Sequence, residues 1–239
     1  MEEEHEPPFR EMHFARDEFA QLIRRVQPFV IPPAMLPPDC AVGAPEVLPG
    51  LVMAVAIQTG NELGFLPADT LNKMFRAEWV RLTAIANLQA LPPPRIDRIQ
   101  AAEGRTDSDI LLLRSKDPFG ASRISYLGAL VKWASGGERA PLGVLVSIPT
   151  WHLMMLHVLS GPGVAKVLER MAVTGQIEFA EARQHTGVSP DVFFVAPDGR
   201  KQTVAQRGGT DLVIETRGLI GEFLFGPHGA YKDIKPANG

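Results

Sequence analysis

A single cysteine, Cys40, is all that a chain of 239 residues contains. One thiol excludes an internal disulfide framework and any cysteine-based zinc site. An excess of one charge is also missing: 24 Lys and Arg stand against 27 Asp and Glu, a net charge of −3. Four of the acids, Glu2, Glu3, Glu4 and Glu6, crowd the first six residues, so the remainder is near neutral. No basic face is concentrated enough to hold a nucleic acid. No run of eighteen apolar residues occurs, which predicts no membrane span. The opening MEEEHEPPF is acidic and lacks an apolar stretch, so it does not read as a signal peptide. The expectation is a cytoplasmic protein with no nucleic-acid or membrane partner.

What is present is an ordinary globular composition, 45% hydrophobic and 21% charged, long enough to bury a core without metal or disulfide. Phe19, Leu22, Ile23 and Val26 at helical spacing predict a first helix over Asp17 to Val26, ended by Pro28. Seven prolines between Pro28 and Pro49 exclude helix and central strand. They predict an extended strap, and with it an N-terminal arm over residues 1–47.

The body is expected from residue 48 to 239, with a sub-boundary near 160–190. Leu51 to Thr59 is a short apolar run between glycines, as a strand buried on both faces would be. Pro67 and Asp69 open a helix in which Leu71, Met74, Phe75, Trp79, Leu82, Ile85 and Ala86 form an apolar stripe. Pro92, Pro93 and Pro94 stop it. Strands are predicted at Arg95 to Ala101, Ile110 to Arg114 and Leu142 to Ile148, with a helix over Ser122 to Trp133. Trp151 to Leu159 and Gly163 to Met171 read as apolar helices broken at Gly161-Pro162. Val192 to Ala196 and Lys201 to Gln206 flank Asp198-Gly199, the strongest hairpin signal in the chain. Asp211 to Thr216 is a further strand. The irregular order and hairpin-joined C-terminal strands predict an α+β fold, a mixed sheet packed by amphipathic helices.

Chemical motifs are sparse. Ser122 in GASRI lacks the second glycine of a nucleophile elbow, and a helix N-cap accounts for it. His152 and His157, placed on a helix, would be separated by about 140° and could not share an ion. His5 and His13 lie in the arm, His185 and His228 in loops. Asp107 and Asp109 sit in a turn, and Asp117 lies beyond the following strand, so no carboxylate pair forms. SGPGVAK departs from a phosphate-binding loop because a helix precedes it and Val167 follows the lysine. RGGT over residues 207–210 reads as a turn. Trp79, Trp133, Trp151, Met154 and Met155 read as core. No cofactor fingerprint is found, and none is expected.

Three segments carry a resemblance. The helix ending Ala84, Ile85, Ala86, Asn87, Leu88 looks like an A-x-x-N-L helix; DPFGASRI, Asp117 to Ile124, looks like an aspartate-aromatic-Ser-Arg helix start; and VSIPTWHLMML, Val146 to Leu156, looks like a strand running into Val-Pro-Ser-Arg-Asp-Leu. In order and type they resemble bacterial proteins of the YtpQ family. In the third, Thr150, Trp151 and His152 replace the serine, arginine and aspartate. The resemblance implies a shared fold over about residues 50 to 160 and brings no catalytic residues with it.

Two functional readings follow. The first is a non-catalytic factor that binds another protein, of an immunity, adaptor or regulatory kind, with Leu219, Ile220, Phe223, Leu224 and Phe225 as the apolar segment offered to it. The second is a cofactor-independent, hydrolase-like enzyme whose site draws on Asp117, Ser122, Arg123, His152 or His157. A pocket where two of these five converge would favour the enzyme.

Overall fold

A computed structural model describes residues 10–11, 18, 23–59, 62–74, 76–137, 140–161, 163–182, 186–208 and 211–225. His5, His13, His185 and His228 lie outside them, as do residues 17 and 19–22 of the helix expected from Asp17. The fold is α+β. The chain divides into two compact units, residues 1–93 with 122–126, and residues 94–121 with 127–239. The proline-rich stretch belongs to the first unit, and its two ends lie in strands of that unit's sheet.

In the first unit Val26–Ile31 (β2) is a strand, not the end of a helix, and all six of its residues are buried. It pairs antiparallel with Leu51–Thr59 (β4), Pro28 standing opposite Val55. The other neighbours are Glu62–Phe65 (β5), Arg10–Glu11 (β1), which pairs parallel with β5, and Glu46–Leu48 (β3), which pairs with the start of β4. Pro28 is tolerated because β2 is an edge strand. Val30 N–H points away from β4, to the Ser122 hydroxyl, and Pro28, two residues earlier, faces the same outward side, where no ladder bond is lost. A short helix, Pro38–Ala41 (α1), follows within the proline-rich stretch.

The helix expected over Ala68 to Leu91 is two: Ala68–Met74 (α2) and Ala77–Gln89 (α3). The face of α3 that is buried carries Ala77, Val80, Ala84 and Leu88, whereas Trp79 and Leu82 are 49% and 60% exposed. Apolar residues occur all round this helix, so the pattern alone did not set its phase. Val80 and Ala84 pack with Val26, Val55, Ile57 and Leu66 into the unit's core.

The second unit holds a seven-stranded antiparallel sheet. Its strands are Arg95–Gln100 (β6), Asp109–Arg114 (β7), Val144–Thr150 (β8), Leu153–Val158 (β9), Val192–Val195 (β10), Lys201–Gly208 (β11) and Asp211–Ile214 (β12). They lie in the order β12-β11-β10-β8-β9-β7-β6. WHLMMLHVL is therefore a turn and a strand rather than a helix. Thr150 pairs with Leu153, so Trp151-His152 closes a tight β8–β9 hairpin. A six-residue run apolar on both faces fits a central strand as well as a buried helix, and sheet pairing decides.

Helices of this unit are Leu127–Ala134 (α4), Val164–Glu181 (α5) and Leu219–Phe225 (α6). The expected helix start at Ser122 is a 3-10 turn, Ala121–Tyr126, and α-helix begins only at Leu127. Val167, Leu168, Met171 and Ala172 of α5 pack on Leu145, Met155 and Phe194 of the sheet. Gly175 brings α5 close to β8, since a Cβ there would stand 2.9 Å from Ser147 Oγ. On α6, Ile220 and Leu224 are buried, and Leu219 and Phe223 pack against the same core. This C-terminal segment is thus core, not a free partner surface; of its apolar side chains Phe225 stands 43% exposed.

Candidate functional site

The five residues weighed as catalytic fall in both units, Ser122 and Arg123 in the first and Asp117, His152 and His157 in the second. Ser122 is 1% exposed, and its hydroxyl accepts Val30 N–H at 3.0 Å. It ties down the edge of β2 instead of capping its own turn, and so deeply buried an oxygen has no approach for a substrate. Arg123, equally buried, donates to the Pro92 carbonyl at 2.9 Å. His152 is exposed, with Nδ1 2.9 Å from the main-chain oxygen of Asp117. That contact joins two of the five, through backbone and without a nucleophile. His157 stands at the far end of β9 from His152.

A polar cluster does assemble around His157. The β6–β7 hairpin sets Arg98 opposite Leu111 and Gln100 opposite Asp109, so Arg98 and Asp109 are diagonal neighbours on one face. Arg98 Nη1 lies 2.8 Å from Asp109 Oδ2. His157 Nδ1 lies 2.8 Å from the Asp109 main-chain oxygen. A carbonyl only accepts, so Nδ1 carries the hydrogen and Nε2 is a bare acceptor. Burial holds the His157 pKa below the usual imidazole value, opposed by the Asp109 backbone bond and by the charges of Asp107 and Asp109. The Asp107 carboxylate is itself engaged with other groups. Arg105 grips it at 2.6 Å, and Oδ2 accepts Gly163 N–H at the start of α5. The Arg105 bond and the Gly163 bond pull its pKa down against partial burial.

Arg98, Asp109, Leu111, Ser135, His157 and Ser160 line a cavity of about 260 Å³ here. Neither His157 Nε2 nor Asp109 Oδ1 has a hydrogen-bond partner within the protein, so no serine–histidine pair of the kind nucleophilic catalysis uses is formed. Among the described residues no group of three His, Cys, Asp or Glu could hold a metal ion. Sequence reasoning passed over Arg98, Ser135 and Ser160. The hairpin register held the signal for Arg98; nothing local marked the two serines.

The second unusual surface is the outer face of α3. Trp79, Leu82 and Ala86 recur at i, i+3 and i+7, opposite the buried Val80, Ala84 and Leu88. Asn87, at the side of the helix, donates from Nδ2 to the carbonyls of Ile23 and Val26, both at 2.9 Å. It holds α3 on the start of β2 and the turn that leads into it.

Compared with known proteins, the chain matches no family model, no curated protein and no solved structure. Among the described residues no helix is long and apolar enough to cross a membrane.

Proposed function

We propose that this chain is a non-catalytic, cytoplasmic factor that binds another protein, of an immunity, adaptor or regulatory kind. The observation that supports the reading is the apolar outer face of α3. One face of this helix already builds the core of the first unit, and a helix apolar on both sides calls for a second cover. Leu82, 60% exposed, is its centre. The hydrolase-like alternative gains no support from Ser122, whose hydroxyl is buried and engaged by Val30 N–H. Kinship with the YtpQ type belongs to the same proposal and rests on the three sequence segments.

The test is a photo-crosslinking residue placed at position 82, with exposed Glu103 as the control position. The expected result is one discrete adduct with a second protein from position 82 and none from 103. Unlabelled wild-type chain should compete it away, and unlabelled Leu82→Asp, with an unshifted melt, should not. No adduct, or an adduct of twice the chain's own mass, overturns the reading.

A further inference from the structure

Between α4 and the β10–β11 turn, the second unit holds a cavity of about 480 Å³. Leu127 and Val131 of α4, Val144 at the start of β8 and Pro197 in the turn supply an apolar wall. One charged residue lines it among those described, Lys132, one turn beyond Gly128 on the same helix. No acid among the described residues engages that ammonium. Three of the lining glycines, Gly128, Gly137 and Gly199, leave open space: a Cβ on any of them would meet nothing within 4 Å. The volume is that of a small-molecule pocket.

We propose that this cavity binds a small amphipathic carboxylate of the fatty-acid type, its alkyl chain against Leu127, Val131 and Val144 and its carboxylate at Lys132. The apolar wall supplies affinity through buried alkyl surface. The Lys132 ammonium at one side supplies direction and selects an anionic head over a neutral one. Gly128 sets the capacity. It sits on α4 without a positive φ, so a larger side chain there enters the cavity without straining the backbone, and helical backbone is less costly for it than for glycine.

The experiment is calorimetric titration of the full chain with decanoate and octanoate, each below its micelle concentration, and with decanol below its solubility limit. Decanoate should bind one to one, about tenfold tighter than octanoate for its two extra CH₂ groups. It should also bind about fivefold tighter than decanol for the charge pair. Lys132→Gln should bring decanoate down to the level of decanol. Gly128→Phe and Gly128→Leu should each abolish binding of both ligands while the melting temperature holds or rises. Should the phenylalanine variant fail to fold, the leucine variant decides. No saturable binding of decanoate, decanol binding as tightly as decanoate, or binding that survives in a folded Gly128 variant overturns the proposal.

Discussion

Ser122 Oγ and the main-chain N–H of Val30, 92 residues apart in sequence, are joined by a hydrogen bond of 3.0 Å. It closes an edge that β2 would otherwise leave open inside the first unit. Val30 N–H points off the sheet, Pro28 has no N–H to offer, and the Val26 carbonyl on the same side is taken by Asn87. Three outward positions of one buried edge strand are thus answered by a hydroxyl, an imino acid and an amide.

Ser122→Ala leaves Val30 N–H buried without an acceptor and should cost about 1–3 kcal/mol. Ser122→Asp should cost more, because a carboxylate would be buried at a site 1% exposed. A serine that merely capped its own helix would tolerate aspartate. Urea denaturation midpoints of the two variants check this, and an aspartate variant as stable as wild type would refute the edge role.

Asn87→Ala should cost roughly 1–3 kcal/mol, since the Ile23 and Val26 carbonyls lose their donor. Asn87→Asp is the sharper comparison. It keeps the shape but turns a donor into a second acceptor facing two carbonyls, so it should be the less stable of the two. The order of their thermal melts is the measurement.

Gly199 has φ +87°, its N–H donates to the Ala196 carbonyl, and Ala196 N–H donates to the Arg200 carbonyl. This is a three-residue hairpin loop with a left-handed residue at its end, so positive φ is needed at Gly199 alone rather than at two positions. Open space around the residue means that only backbone strain opposes a side chain there. Gly199→Val should lower stability by about 1 kcal/mol or more, whereas Gly199→Asn should retain most of it. Denaturant titration distinguishes the two.

Stability should fall on mild acidification, through His157. Its folded pKa lies below the ordinary 6.5 because of burial, so below that pH the unfolded chain takes up a proton that the folded chain refuses. The contribution is complete above about pH 6.5 and is lost progressively as the pH drops beneath it. His157→Asn keeps an N–H donor within reach of the Asp109 carbonyl and cannot titrate. Between pH 7.5 and 5.5 the variant's denaturation midpoint should change less than that of wild type, and equal slopes would count against the role of His157.

Local chemistry determined much on its own. Leu51–Thr59 has the bounds read from its glycines, and the β6–β7 and β10–β11 hairpins stand where turn residues placed them. The α+β class follows from those units, because each is settled by residues a few positions apart. Tertiary structure decided the rest. Pro28 reads as a helix stop until β4 provides a sheet whose outer edge needs no N–H from it. LMMLHV reads as helix until β7 and β8 flank it with ladder partners. The phase of α3 was open because Trp79, Leu82, Val80 and Ala84 are all apolar, and only the packing of Val80 and Ala84 on β2 and β4 chose between the faces. Ser122 and the cluster at His157 were hidden for the same reason. Their partners, Val30 and Asp109, lie 92 and 48 residues away, and no periodicity spans such distances.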